Sequence, residues 1–190
     1  MTAIASPPRL TPTDLLNLDD EIRFELVDGQ LVERAMGALS TWIGTQVTWL
    51  LKNVVRQGAL GWVFGGEASY QCYPWAPEQV RRPDASFIRR GRLTDEVLPA
   101  GHIRISPDLA VEVLSPNDNG NEIDTKVTEY LRAGVHLVWV VYPNTRSVVV
   151  FRPDGSARRV REEDLLTGED IIPGFQCMVS ELFPPTLASA

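Results

Sequence analysis

The sequence predicts an α/β (α+β) domain, a mixed β-sheet flanked by helices with a β-hairpin near the N-terminus. Three observations carry this. Short apolar runs alternate with two stretches of helical periodicity. One run, LVWVVY at Leu137 to Tyr142, is continuous enough to be a strand covered on both faces. Asp28-Gly29, between FELV and QLVE, is the signal of a two-residue hairpin turn, because both turn residues must tolerate positive φ. The order helix, hairpin, helix, antiparallel strands, helix, buried strand, hairpin is that of a layered sandwich rather than a doubly wound sheet.

The elements follow in order. Residues 1–12, with Pro7, Pro8 and Pro12, read as a flexible lead-in, residues 13–183 as a single domain and residues 184–190 as a flexible tail. Thr13 caps a short helix through Leu18. From Thr41, Ile43, Val47, Leu50, Leu51 and Val54 recur at helical spacing, and Gly58 is a stop. Trp62 to Phe64, Glu67 to Tyr73 and Asp84 to Ile88 read as strands, and Asp108 to Leu114 (DLAVEVL) as an apolar strand with one acid, Glu112, inside it. After Ser115-Pro116 and NDNGN comes a helix of about three turns with Ile123, Val127, Tyr130 and Leu131 on one face, ended by Gly134. Pro143-Asn144 turns the chain into SVVVFR, whose apolar outer edge points to a homodimer by edge or face packing.

Composition excludes several classes. With 190 residues, 44% hydrophobic and 23% charged, the chain is one globular domain and not a disordered one. No apolar run approaches the ~18 residues that cross a bilayer, and MTAIASPPRL has no apolar signal core, so a cytoplasmic protein without a membrane partner is expected. Cys72 and Cys177 have no CxxC spacing and read as buried small hydrophobes; two histidines, His102 and His136, are too few for a His-rich zinc site. GxGxxG, GxxxxGK[ST] and GxSxG are all absent, which removes the dinucleotide, P-loop and serine-hydrolase readings. A net charge of −7 argues against a general polyanion binder, yet arginines cluster at positions 81, 82, 89, 90, 92 and 104. Only Lys52 and Lys126 are lysines.

Three residues ask for a chemical explanation. Strand alternation sets Ala110, Glu112 and Leu114 on one face of the sheet, where an ionised carboxylate is costly unless a cation compensates it. With Asp84 on the neighbouring strand, two acids crowd each other, and a divalent cation relieves them; two carboxylates and a carbonyl suit Mg²⁺. Lys126 flanks the buried stripe of the following helix, from where an ammonium can lean toward Glu112 and orient a water. Each of the three, and Glu25 at FELVDG beside them, has a plainer reading. Lys126 pairs with Glu122 at i,i+4 on the surface; Asp84 after Pro83 merely starts a strand; Glu112 meets a buried arginine; Glu25 is an ordinary edge acid on the hairpin.

The blocks Pro83-Asp84, E-V-L-S-P (Glu112 to Pro116) and K-V-T-E-Y-L-R-A-G-V (Lys126 to Val135) before WVVYP resemble the Uma2 family of restriction-type endonucleases, within the PD-(D/E)XK nuclease superfamily. The likeness runs from FELVDGQLVE through MGALSTWIGTQV, GWVFGGEASYQCYP and RRPDASFI to IIPGFQCMVSELF. It implies a restriction-endonuclease-like core and hydrolysis of DNA phosphodiester bonds with Mg²⁺ or Mn²⁺. Asp84 matches the acid of PD, and Glu112 that of the (D/E)XK element. The lysine of that element falls at Leu114 here, and Lys126 on the next helix matches its displaced position. By the same resemblance Glu25 assists from the hairpin and the Val113 carbonyl is a further metal ligand. Related chains often carry a histidine where Ser40-Thr41-Trp42 stand, which leaves an auxiliary histidine role without a residue.

The expected function is therefore a metal-dependent DNA endonuclease in which Asp84 and Glu112 hold the ion and Lys126 positions the attacking water. Arg81, Arg82, Arg89 and Arg90 are candidate phosphate contacts. The acidic total makes the grip on DNA weak or partner-dependent. Two alternatives remain at this level: a non-catalytic interaction or dimerisation module on the nuclease fold, and an enzyme of the same fold acting on RNA or branched DNA.

Overall fold

A computed structural model of the chain describes residues 9–35, 37–115 and 119–185. The expected lead-in up to residue 8, the tail from residue 186, Met36 of the M-G-A block and residues 116–118, which include the last residue of E-V-L-S-P, lie outside the described residues.

Helix α1 (Pro12–Leu16) is capped by Thr11, not Thr13. The Thr11 hydroxyl accepts the Asp14 N–H at 3.2 Å and the Asp14 carboxylate accepts the Thr11 N–H at 2.8 Å. Pro12 at the first helical position needs no N–H partner, which favours this start. Residues 9–12 are thus tied down rather than loose, and the Leu10 N–H donates to the Gly29 carbonyl at 2.9 Å. Strands β1 (Phe24–Val27) and β2 (Gln30–Glu33) form the expected hairpin, with φ of 51° at Asp28 and 74° at Gly29.

Helix α2 (Ala38–Gly58) buries Ile43, Val47, Leu51 and Val55 along one stripe and ends where Ala59 turns left-handed. Then follow β3 (Gly61–Gly65), β4 (Ala85–Arg89), β5 (Leu109–Val113), α3 (Gly120–Arg132), β6 (Leu137–Tyr142), β7 (Ser147–Phe151) and β8 (Ala157–Val160). A small hairpin, β9 (Leu165–Thr167) and β10 (Gln176–Met178), closes the domain.

Strands β3 to β8 make one six-stranded mixed sheet in that order. Only β5 and β6 are parallel, and α3 is the crossover that parallel neighbours require. Alternation along β5 distributes the core as the sequence predicts. Leu109, Val111 and Val113 pack with Ile43, Val47 and Leu51 of α2, while Ala110 faces Ile123, Val127 and Tyr130 of α3. Glu112 shares the α3 side with Ala110.

Two expectations change. Glu67 to Tyr73 is not a strand: Tyr70 alone makes bridges, antiparallel to Arg81 on one side and parallel to Ile103 on the other, and neither pairing extends to a second residue. The apolar β7 is not an outer edge. Strand β8 pairs along it and presents exposed Arg158 and Arg159 to solvent, which removes the bare edge that pointed to a homodimer. Cys177 is buried in the α2 core and Cys72 is half-buried; both thiols are free, and burial pushes each up to about 12, in keeping with packing roles. Among the described residues no helix is long and apolar enough to cross a membrane.

Candidate active site

The site forms where the hairpin, the start of β4, the end of β5 and the first half of α3 meet. Leu26 exchanges backbone hydrogen bonds with Val80 at 2.9 and 2.8 Å, which docks β1 beside residues 79–82 and turns Glu25 inward. One Glu25 oxygen accepts the Arg82 backbone N–H at 2.8 Å. The other lies 2.9 Å from Arg81 Nη1 and 3.3 Å from Lys126 Nζ. Lys126 lies three residues after Ile123 and four before Tyr130, on the buried side of α3, and its ammonium also reaches Glu112 Oε2 at 3.3 Å. The Tyr130 hydroxyl donates to Glu112 Oε1 at 2.6 Å. Glu129 braces the far side, accepting from Arg81 Nε at 2.8 Å and Gln79 Nε2 at 2.7 Å.

Asp84 enters through a break in the sheet ladder. The last β4–β5 pair is Ala85 with Val111, and the Asp84 N–H donates to the Val111 carbonyl at 2.8 Å. Pro83 has no N–H to carry the ladder further, and the Val113 N–H donates instead to Asp84 Oδ2 at 2.7 Å. Asp84 Oδ1 receives Arg34 Nη2 at 3.1 Å. Its side chain is the most open of the three acids, at 27% exposure against 6% for Glu112 and 1% for Glu25.

The electrostatics set the acids apart. Burial raises the Glu112 carboxyl against the pull of Lys126, and the nearby charges of Asp84 and Glu25 add to it, bringing it up to about 7. Burial likewise raises Asp84, against Arg34 and the Val113 N–H. Burial opposes ionisation of Glu25 as well, but Lys126, Arg81 and the Arg82 N–H together outweigh it and hold the group below its ordinary value. Lys126, although buried, is held above its ordinary value by Glu112 and Glu25. Four carboxylates (Glu25, Asp84, Glu112, Glu129) thus share three cations (Arg34, Arg81, Lys126). The cluster is short of one positive charge, which adds to the burial that raises Glu112 and Asp84.

A cavity of about 30 Å³ lies among Glu25, Asp84, Glu112, Val113 and Lys126, with Glu33 and Glu122 also on its wall. That is room for a water or an ion. Among the described residues no three His, Cys, Asp or Glu side chains converge as a ready ligand set. Asp84, Glu112 and the end of β5 at Val113 border the cavity together, with Arg34 on the outer acid and Lys126 on the inner one.

Glu25, Glu112 and Lys126 are thus brought into direct contact, and Asp84 joins them across the small cavity. Lys126, 8% exposed, is turned away from solvent, so the surface pair with Glu122 is not what it makes. Glu112 meets a lysine and a tyrosine rather than an arginine. Of the candidate phosphate contacts, Arg81 and Arg82 are corrected: both are buried, Arg81 between Glu25 and Glu129, Arg82 on Glu21, the Phe24 carbonyl and the Glu67 carbonyl. Guanidiniums so buried and so engaged are closed to a phosphate arriving from solvent. Arg89 and Arg90 are exposed, but Arg89 is five residues along β4 from Asp84, about 17 Å away at strand rise. Sequence reasoning missed Arg34, the hydroxyl of Tyr130 and the brace of Glu129. The K-V-T-E-Y spacing contained the last two, since Glu129 and Tyr130 are three and four residues beyond Lys126. Ser40, where related chains often carry histidine, lies 2.9 Å from the Ser115 hydroxyl.

The chain shares its fold with a solved structure described as a putative nuclease belonging to DUF820 from Anabaena variabilis, with a TM-score of 0.76 at 19% identity over 92% of this chain and 97% of that one. The chain belongs to the Uma2 family, described as "Putative restriction endonuclease", whose model matches residues 12–180. No curated protein matches it.

Proposed function

We propose that the protein is a divalent-metal-dependent endonuclease that hydrolyses DNA phosphodiester bonds at the Asp84–Glu112–Lys126 cluster. The observation that carries this is the cluster itself: acids crowded round an ion-sized cavity with one cation too few, and Glu112 raised to about 7 by burial, with the charges of Asp84 and Glu25 adding to it. Oxygen donors of this kind fit Mg²⁺ or Mn²⁺. Asp84, Glu112 and the Val113 carbonyl are the residues that would hold the ion, which would polarise the phosphoryl oxygens and acidify water.

The chain's own groups do the rest. Lys126 stays protonated, because two carboxylates hold its proton, so it acts as a positioning and charge-stabilising group rather than a base. Its contacts with Glu25 and Glu112 fix the ammonium over the cavity, where a remaining N–H orients the attacking water. Glu25 serves by anchoring Lys126, since its own oxygens are taken by Arg81, Arg82 and Lys126. Tyr130 holds the Glu112 carboxylate in one orientation. The test is nicking of supercoiled DNA with Mg²⁺ or Mn²⁺. Wild type is expected to nick, and Asp84→Ala, Glu112→Ala and Lys126→Ala to lose it; undiminished nicking in the three variants refutes the assignment.

A further inference from the structure

A cleft of about 680 Å³ lies beside the acid cavity, and Arg34 and Asp84 line both. One wall of it is α2. Thr41, Thr45, Thr48 and Lys52 succeed one another at intervals of four, three and four residues, which makes a single stripe about 16 Å long on a helix. The floor of the cleft is bare backbone at Gly65 and Gly66, and a Cβ at Gly65 would already stand 3.9 Å from Thr48 Oγ1. A Cβ at Gly66 would stand 3.2 Å from Arg34 Nη2 and 3.5 Å from Asp84 Cα, so side chains there would crowd the passage to the acids. Lys52 is exposed and makes no ion pair among the described residues. Besides Asp84 the lining holds one acid, Glu67.

Beside this stripe stand two exposed aromatic rings. Trp42 is 40% and Trp49 56% exposed, an unusual outlay of large apolar surface on one helix. Intervals of three or four residues make Trp42 a neighbour of Thr45, and Trp49 a neighbour of both Thr45 and Lys52. Seven residues separate the rings, about 10 Å along the axis.

We propose that this cleft seats an unpaired nucleic-acid strand on its way to the acid cluster, with Lys52 on a backbone phosphate and Trp42 and Trp49 as stacking surfaces for bases. The inference rests on the nuclease reading and names its substrate class. The cleft has the volume of a site for a drug-sized ligand, which admits one strand and not a duplex, whose major groove alone is about 12 Å wide. Stacked nucleotides step about 3.4 Å, so about three steps cover the distance between the rings. Stacking also eases the problem posed by a net charge of −7, because it adds affinity that does not come from positive charge to what Lys52 supplies.

Fluorescence anisotropy in chelator, with a labelled single strand and a duplex of the same sequence, tests this apart from catalysis. The single strand is expected to bind more tightly and to quench tryptophan emission. Lys52→Gln should weaken it and flatten the log K against log salt slope by about 0.7; Trp49→Ala should weaken it about tenfold. Arg158→Gln on β8, remote from the cleft, should change neither. Equal or tighter duplex binding, or an unchanged salt slope in Lys52→Gln, overturns the inference. So does a Trp42→Ala/Trp49→Ala variant that keeps its single-strand affinity but changes mass by light scattering, which would make the face a contact with a second copy. Cleavage assays on the same two substrates separate the two proposals. Cleavage with wild-type strand binding in the Lys52 and tryptophan variants removes only this one, and cleft-dependent binding without cleavage removes only the nuclease reading.

Discussion

Glu112 is the residue on which the chemistry turns, and its titration gives a stability signature. Its folded-state value of about 7 lies above the ordinary 4.5, so between these values the native protein binds more protons than the unfolded chain. The group's contribution is therefore full below about 4.5 and lost as pH rises toward 7. Glu25 has the opposite sign: its lowered carboxyl stabilises above its ordinary value, and that stability is lost as pH falls through the folded one. Urea titrations of metal-free protein should show Glu112→Gln removing a downward slope between pH 4.5 and 7; an unchanged slope contradicts the assignment. Lys126→Met leaves Glu112 without its cation, and should cost about 3 kcal/mol in the same measurement, with Lys126→Arg costing less. The sequence made part of this legible. Alternation in DLAVEVL put Glu112 on a covered face, and the i,i+4 relation to Tyr130 put Lys126 near it. The cations Arg34 and Arg81 could not be foreseen, because their pairing depends on how the hairpin docks and on where the ladder breaks at Pro83.

At the scale of elements, the hairpin matters because it carries Glu25 to Lys126. Its turn needs Gly29 at φ 74°, and a Cβ there would stand 2.8 Å from the Arg9 Cβ. Gly29→Val should destabilise by about 1–2 kcal/mol, read as a thermal midpoint about 2–8 °C lower; a midpoint equal to wild type would show that the turn tolerates a side chain. Elements with strong periodicity or punctuation, namely β1–β2, α2, β5, α3 and β6, were legible to within a few residues. Those defined by pairing were not. ARRV of β8 is charged and exposed, so it becomes a strand only because β7 offers an edge. Glu67 to Tyr73 has the look of a strand but meets a different partner on each side of Tyr70.

At the scale of the whole molecule, an acidic chain of −7 holds its buried acids beside a cleft that carries Lys52 and Arg34. An ion bound only to the native state should raise stability by about 2.7 kcal/mol at a hundred times its Kd, or a thermal midpoint about 5–10 °C higher. Thermal scans with and without Mn²⁺ should show that gain in wild type and not in Asp84→Asn. The mixed sheet between helices followed from patterns in the sequence; its six-stranded order, closed by β8, did not. The cleft did not, since it exists only where α2 stands off β3 and the Gly65-Gly66 backbone.

The charge shortage is tested most directly by calorimetric titration of metal-free protein with Mn²⁺ at pH 6.5, in two buffers of different ionisation enthalpy. The account predicts saturable binding with net proton release from Glu112, lost in Asp84→Asn, and without that release in Glu112→Gln. Absence of binding by the wild type, or binding indifferent to both substitutions, would contradict it.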